Sequence, residues 1–384
     1  MDSITQAALG AALGGAVMGR HLGRKSLAIG AVLGSLPDMD VIIDYGDAVA
    51  NVTYHRGFSH SLFMLTGLAT LLAGLAVALA RRLGRLDDVG LLRWWALFWL
   101  CLATHPLLDS ITTYGTQLWW PLTVTRPSAT PLVFIIDPLY TLPLLIALGV
   151  ALWRGRRQPA RLQRAVSWGL VISSAYLLTA LGAKSWVASR VEPVLADAGL
   201  TESPRLIQPV PFTTLLWRVT VIDGDRQLET LVGVFDGDTS PQFETFRRLP
   251  ADAKRPQQQR DPDSSPANDL EGVALATAMG RRLDWFAGPF LRYEAVSEDG
   301  ITELQATDLR LGFPGFHPFR FALAELGPSG WQPLAPTLQL DDAPRERPLA
   351  QLWQRIFTPQ PPLCLSSLVE PRLRLTAPPA CRTP

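Results

Sequence analysis

Histidines are rare in this chain, and three of the five lie beside apolar, helix-like segments that also carry carboxylates. His55 and His60 bound the hexapeptide HRGFSH, and His105 precedes Asp109 by four positions. Imidazoles and carboxylates are costly to desolvate at the edge of a bilayer. Their clustering therefore indicates a metal or proton site rather than packing.

The spacing of these residues predicts how they share a site. His105 and Asp109 fall on one face of a helix, so both can bind the same ion. Asp38 and Asp40 point the same way if their stretch is extended. The hexapeptide fits a turn entering a helix, with a glycine at the bend and Ser59 as a candidate N-cap.

A divalent metal ion is the predicted cofactor, because several histidines and aspartates with open coordination positions suit zinc, manganese or iron in a hydrolytic site. The candidate general bases are Asp38, Asp40 and Asp137, although an aspartate before proline also marks segment boundaries. Arg56 is expected to bind an anionic substrate or, alternatively, a lipid phosphate. The predicted metal ligands are His55, His60, His105, Asp109, Asp38 and Asp40.

Long apolar segments must position these residues. Each is long enough to span a hydrocarbon core about 30 Å thick. They predict an α-helical integral membrane domain over residues 1–187. Glycine pairs at Gly10/Gly14, Gly15/Gly19 and Gly30/Gly34 predict close helix packing near the N-terminus. The four segments are 62–80, 89–108, 132–153 and 165–183.

Basic residues in the short loops predict the orientation. Loops rich in arginine are retained in the cytoplasm. The polar insertions then share the opposite face, and everything after about residue 187 is outside, which predicts a multi-pass inner membrane protein with a periplasmic C-terminal domain. The arginines are Arg81, Arg82, Arg85 and Arg93 in one loop, and Arg154, Arg156, Arg157, Arg161 and Arg164 in the other.

The second half predicts a small, β-rich α+β extramembrane domain over residues 188–329. A Pro-rich tail over 330–384 is expected to be extended or disordered. Cys364 and Cys381 can pair if this half is exported, and His317 is expected to be structural. A net charge of +1 gives no support to nucleic-acid binding. Strands are expected at 215–223, 228–236, 290–298, 301–312 and 319–326, a loop at 249–269 and a helix at 270–286.

Four stretches resemble a known family: MDSITQAALGAALGGAVMGR, GSLPDMDV, YHRGFSHSL and HPLLDSITTYGTQLWWP. They are similar to the YdjM/YbcI-type inner-membrane proteins, a group described as metal-dependent hydrolases. The resemblance covers roughly residues 1–145. It departs at Gln6, where many members carry a histidine. It implies functional residues at Asp38, Asp40, His55, His60, His105 and Asp109.

These observations favour a membrane-embedded metal-dependent hydrolase at the outer face of the inner membrane. Its substrate would be an ester or phosphoester of a lipid or envelope precursor. Membrane lipid is the predicted partner of the protein. One alternative is a metal or proton transporter, which would need ligands that continue to the other face. Another is a regulatory scaffold with a structural metal site.

Overall fold

The computed structural model describes residues 1–84, 86, 88–122, 125–155, 158–249, 269–340, 349–359 and 362–381, which form two compact units. The first unit comprises Met1–Ile43, His55–Gly182 and Pro211–Thr214. The second comprises Asp44–Tyr54, Ala183–Val210 and Leu215–Pro384. A short segment of the N-terminal half therefore belongs to the unit built mainly from the C-terminal half.

The N-terminal region is helical, as expected. Its helices α4, α5 and α7 are long and apolar enough to cross a membrane, whereas α2 and α6 are apolar but shorter. Helix α3 belongs to the second unit, and α7 continues from the first unit into the second. The helices are α1 (Ser3–Leu22), α2 (Lys25–Ser35), α3 (Ala48–Tyr54), α4 (Leu62–Leu83), α5 (Leu91–Ser110), α6 (Pro138–Arg154) and α7 (Pro159–Asp197).

Helix α6 begins later than the apolar run at 132–153 suggests. Asp137 ends the preceding loop, and its side chain accepts hydrogen bonds from the backbone N–H groups of Leu139 and Tyr140, at 3.0 and 3.2 Å. Pro138 occupies the first helical position, where a missing N–H costs nothing. The aspartate and proline together fix the helix start.

Close packing of α1 against α2 confirms the prediction from the glycine pairs. A Cβ atom at Gly10 would overlap the carbonyl oxygen of Gly30, and one at Gly14 would overlap the carbonyl oxygen of Ser26. A Cβ at Gly34 would likewise meet the backbone of α1. Only glycine allows the two backbones to approach this closely.

Two short 3₁₀ helices connect the longer ones. Pro37–Ile42 follows α2, and Phe58–His60 precedes α4. The N-cap of α4 is Ser61, whose hydroxyl accepts a hydrogen bond from the N–H of Met64 at 3.4 Å, rather than Ser59. The turn at the hexapeptide places Arg56 at a φ of 60°.

The second unit contains two antiparallel sheets. Their strand orders are β1-β2-β3-β4-β9 and β5-β6-β7-β8. The strands are β1 (Arg205–Pro209), β2 (Leu216–Asp223), β3 (Arg226–Gly233), β4 (Glu244–Arg247), β5 (Leu291–Glu298), β6 (Ile301–Asp308), β7 (Arg320–Gly327), β8 (Gly330–Gln339) and β9 (Arg374–Thr376). The helices are α8 (Leu270–Ala276), α9 (Ala278–Ala287) and α10 (Leu349–Phe357).

The five strands expected from sequence correspond to β2, β3, β5, β6 and β7, which confirms a β-rich domain in addition to the helical membrane domain. The single helix expected at 270–286 is two helices, because Thr277 interrupts it and caps α9 by accepting the N–H of Gly280 at 2.9 Å. Strands β1 and β4 were not expected. Most of the expected loop at 249–269 lies outside the described residues.

Alternating side chains of β2 supply both faces of the first sheet. Trp217 packs with Val187 and Val191 of α7 in one buried cluster. Leu216 points the other way and packs with Ile356 of α10 in a second cluster. This period of two matches the pleat of a strand, whereas the spacing of four in α7 matches one helix face.

The described part of 330–384 differs from the expected extended or disordered tail. Residues 330–339 form β8, which pairs with β7 at a sheet edge, where Pro333 and Pro336 are tolerated. Further along, Cys364 and Cys381 form a disulfide. His317 is buried, with its Nδ1 3.0 Å from the carbonyl oxygen of Leu311.

Candidate metal centre

Four side chains from three segments of the first unit converge on one point. Asp38 comes from the 3₁₀ helix after α2, His60 from the 3₁₀ helix before α4, and His105 and Asp109 from α5. One ligand atom from each of these residues lies within 4.8 Å of the others. The predicted sharing of one face by the last two residues is confirmed, with 3.6 Å between His105 Nε2 and Asp109 Oδ2.

The distances between these atoms fit a small divalent cation. The Nε2 atoms of His60 and His105 are 3.2 Å apart, and His105 Nε2 is 3.2 Å from Asp38 Oδ1. His60 Nε2 lies 3.4 Å from Asp109 Oδ2 and 3.5 Å from Asp38 Oδ1. Bonds of about 2.0–2.1 Å to a tetrahedral zinc separate its ligand atoms by about 3.3 Å.

Hydrogen bonds on the far side of each imidazole fix its orientation. His105 Nδ1 lies 2.5 Å from the carbonyl oxygen of Gly34, to which it can only donate. His60 Nδ1 lies 2.9 Å from Ser59 Oγ, which in turn donates to Asp40 Oδ2 at 2.7 Å. With Nδ1 protonated, each Nε2 presents a lone pair to the centre. Lone pairs and carboxylates that face one another repel unless a cation lies between them.

The centre is deeply buried except at one side. The side chains of His60, His105 and Asp109 are fully buried, whereas that of Asp38 is 23% exposed. Burial raises the pKa of Asp38, but hydrogen bonds with the two histidines outweigh it and hold that pKa below its usual value. Asp109 Oδ2 is buried and accepts no hydrogen bond of good geometry among the described residues, although Arg56 Nε lies 3.2 Å from it. Both carboxylates are thus suited to bind a cation.

Asp40 and His55 lie beside this group rather than in it. Asp40 Oδ1 is 3.0 Å from His55 Nδ1, and Asp40 Oδ2 accepts the backbone N–H of Arg56 at 3.0 Å. Burial raises the pKa of Asp40, but the hydrogen bonds from His55 and Ser59 outweigh it, so the pKa is lowered. Asp40 therefore supports the hexapeptide that carries His60.

Arg56 borders the centre as a buried cation. Its side chain is held over the ring of Tyr114, with Cζ 4.9 Å from the ring centroid, and its Nε lies 3.2 Å from Asp109 Oδ2. Its Nη1 is buried and has no hydrogen-bond partner in the described structure. Such a guanidinium has donors to offer to an anion.

Gln6 is a member of the site that spacing arguments did not identify. Its Nε2 donates to Asp109 Oδ1 at 3.0 Å and to the carbonyl oxygen of His105 at 3.3 Å. The departure from the family pattern at this position was the available clue. The amino group of Met1 also forms an ion pair with Asp109.

Asp137, a candidate general base, is placed elsewhere. One carboxylate oxygen caps α6, and the other accepts the hydroxyl of Tyr176 at 2.9 Å. It is absent from the group of described residues whose ligand atoms converge. Its contacts are those of a helix cap.

Comparison with known proteins agrees with a helical membrane region at the N-terminus. Residues 1–187 match the family model described as YdjM inner membrane protein. This N-terminal region is therefore similar to the YdjM family. The resemblance found in the motifs is thereby confirmed, and the family and the apolar helices make the YdjM-type region an inner membrane domain.

One relative of the YdjM-type region is the inner membrane protein YbcI of Escherichia coli (strain K12). The two chains are 37% identical over 118 residues, which is 30% of this chain. The match spans 64% of the relative's own length, somewhat less than two thirds. No solved structure matches this chain.

Proposed function

We propose that this protein is a membrane-embedded metal-dependent hydrolase that acts on a phosphoester of a lipid or envelope precursor. The observation that carries the proposal is the buried group of two histidines and two aspartates, oriented toward one point. Its residues fit a divalent ion such as zinc, manganese or iron. A membrane scaffold alone does not require imidazoles fixed with both Nε2 atoms facing each other.

All four side chains would bind the ion, and Asp38 would also border the entrance to the site. The ion held by Asp38, His60, His105 and Asp109 would supply a Lewis acid at the scissile bond and lower the pKa of a nearby water. Water and substrate enter beside Asp38, since it is the one partly exposed member of the group. Its carboxylate is therefore the group in position to accept a proton from the attacking water.

Arg56 favours a phosphoester over a neutral ester. A buried guanidinium without a partner at Nη1 is costly unless it meets an anion during function. Guanidinium and phosphoryl oxygens form strong charge-assisted hydrogen bonds. Arg56 would bind the phosphoryl group while its Nε remains near Asp109.

The surface around the open side supports a substrate with an apolar part. Met39, Val41 and Ile42 are exposed on the same 3₁₀ helix as Asp38, at 54%, 73% and 75%. Large exposed apolar side chains in an inner membrane domain are suited to contact acyl chains. A lipid substrate could therefore reach Asp38 from the bilayer.

The proposed location is the periplasmic face, with the second unit exported. The arginine-rich loops support this orientation through the positive-inside rule. The disulfide between Cys364 and Cys381 supports it independently, because disulfides persist in oxidising compartments such as the periplasm.

Elemental analysis tests the metal centre. We expect purified protein to retain about one divalent ion or more per chain, and His105→Ala to lose most of it, because one of two fixed imidazoles is removed. His21→Ala is the matched control, since His21 lies on α1 away from the group. Equal metal content in all three proteins would remove the basis of the proposal.

A substrate screen tests the reaction. We expect hydrolysis of phosphate esters, including phosphorylated lipids in mixed micelles, and loss of it in His105→Ala. In Arg56→Lys, the KM for a phosphate ester should rise at least about tenfold, since one planar two-donor contact is replaced by a point charge. Metal flux into proteoliposomes without hydrolysis would instead favour a transporter.

A further inference from the structure

The segment Asp44–Tyr54 lies in the sequence between the two halves of the metal centre, yet it belongs to the second unit. Asp38 and Asp40 precede it, and the hexapeptide 55–60 follows it directly. Its helix α3 packs against α9 and β8. The C-terminal half thus holds the connection between two sets of site residues.

Hydrogen bonds to a carboxylate fix the start of this segment. Asp47 accepts hydrogen bonds from the backbone N–H and the hydroxyl of Thr337, each at 2.7 Å. The same hydroxyl lies 3.2 Å from the N–H of Val49, which donates to it. Thr337 is buried and Asp47 partly so, which limits the access of water to these bonds.

The hold on the end of the segment is made by an arginine. Arg282 of α9 donates from Nε to the hydroxyl of Thr53 at 3.1 Å and from Nη2 to the carbonyl oxygen of Thr53 at 3.0 Å. Its guanidinium also lies between the rings of Tyr54 and Trp285, 4.1 and 4.2 Å from their centroids. These contacts end one peptide bond before His55.

Arg56, the second residue after this anchored end, adopts a demanding conformation. His55 contacts Asp40, and Arg56, with φ at 60°, donates its N–H to the same carboxylate. A non-glycine residue in the left-handed region persists only where its surroundings hold it. A fixed Tyr54 supplies part of that restraint through the chain itself.

We propose that Asp47, Arg282 and Thr337 are positioning residues for the metal centre. By anchoring the segment 44–54, they hold the hexapeptide in the conformation that places His60 and Arg56. The anchored segment thereby affects how tightly the centre binds its ion. This inference rests on the proposed metal function for its effect on metal affinity, but not for its effect on the hexapeptide.

Hydrogen exchange of the full-length protein in detergent tests the conformational part. In Arg282→Ala, we expect the amides of residues 55–61 to exchange about tenfold faster, because losing two partly buried hydrogen bonds eases local opening. Thr337→Val, a change of nearly equal volume, should act in the same direction. Arg281→Ala is the matched control, since Arg281 of α9 bonds only carbonyl groups of α8 among the contacts described.

Zinc titration against a chelator tests the functional part. The zinc Kd should rise about tenfold in Arg282→Ala and Thr337→Val, the scale seen for outer-shell changes, and stay at the wild-type value in Arg281→Ala. Exchange in β2 should be unchanged, which shows that the second unit is still folded.

The outcomes separate the two proposals. Faster exchange confined to 44–54 and α9, with 55–61 as in wild type, overturns the inference even if zinc binds. Faster exchange at 55–61 in a protein that binds none of zinc, manganese and iron supports the positioning of the hexapeptide and refutes the metal function. Faster exchange together with weaker zinc binding supports both.

Discussion

At the scale of single residues, the metal centre depends on what lies behind each imidazole. The Nδ1 atoms of His105 and His60 lie within hydrogen-bond distance of the carbonyl oxygen of Gly34 and the hydroxyl of Ser59, respectively. These two contacts leave Nε2 on both rings as the atom that faces the candidate metal position. A change at Ser59 is therefore expected to affect metal binding even though its side chain is not a ligand.

Gln6→His should strengthen zinc binding. The amide of Gln6 reaches Asp109 at 3.0 Å, so an imidazole there can support that carboxylate or contribute a further nitrogen. We expect zinc Kd to fall about tenfold, measured by competition with a chelator. Gln163→His serves as the control, since Gln163 bonds the carbonyl oxygen of Ala16. An unchanged Kd would show that position 6 does not act on the centre.

His317 should make the second unit less stable in mild acid. Burial, followed by nearby Arg218 and Arg292, lowers the pKa of His317 well below its usual 6.5. Below pH 6.5 the unfolded chain binds a proton that the folded chain does not, so stability falls by up to about 1.4 kcal/mol per pH unit. Above pH 6.5 His317 is neutral in both the folded and the unfolded chain, so it no longer lowers the stability.

Thermal unfolding of the second unit between pH 7.5 and 5.0 measures this effect. His317→Asn keeps a donor for the carbonyl of Leu311 but cannot titrate, so its transition should depend less on pH than that of wild type. Identical pH dependence in both proteins would rule out His317 as the cause.

The different placement of Asp38 and Asp40 shows what spacing alone can predict. In an extended stretch, side chains two positions apart point to the same side. This suggested that Asp38 and Asp40 bind the same metal ion. The stretch is a 3₁₀ helix of three residues per turn, so the two side chains diverge. One meets the histidines of the centre, and the other meets His55 and Ser59. The participation of both residues was predictable from sequence, but their separate roles required the local geometry.

At the scale of elements, the α1–α2 pair links packing to the site. Gly30 allows the backbones to touch, and Gly34, one turn later, provides the carbonyl that orients His105. The 3₁₀ helix with Asp38 follows directly. The glycine spacing that predicted a close helix pair thus also determines where two parts of the centre lie.

Gly30→Ala should destabilise the first unit and weaken zinc binding. The added methyl group would overlap the backbone of Gly10, and such overpacking costs about 1–3 kcal/mol. Thermal unfolding and zinc titration in detergent measure both effects. Gly67→Ala in α4 is the control, because nothing lies within 4 Å of a Cβ there. Equal loss in the two variants would argue against a specific contact.

The helix starts and strand edges explain the remaining differences from sequence. The run at 132–153 is apolar except at Asp137, so mean hydropathy alone could not show that Asp137 and Pro138 start the helix six residues after the run begins. The prolines of 330–339 suggested disorder, whereas an edge strand accommodates them because one side needs no ladder hydrogen bonds. Neither result can be derived from the local hydropathy or proline pattern, because one depends on side-chain capping and the other on pairing with another strand.

At the scale of the whole molecule, reporter fusions test the orientation. We expect cytoplasmic reporters to be active after residues 84 and 158, which follow α4 and α6, and an export-dependent reporter to be active after residue 240. Cysteine labelling of the reduced tail from the outside offers an independent control. A cytoplasmic result at 240 would contradict the periplasmic placement of the second unit and of the metal centre.

The separation in sequence between the segment 44–54 and its partners has a consequence for biosynthesis. Thr53 meets a partner 229 residues later, and Asp47 one 290 residues later. At roughly 5–20 residues per second, ribosomes make Thr337 about 15–60 s after Asp47. For that interval the nascent N-terminal region carries every side chain of the centre, while the segment 44–54 has not yet met Arg282 and Thr337. Maturation of the site is therefore a late event, and truncated or stalled chains would reach the membrane without completing it.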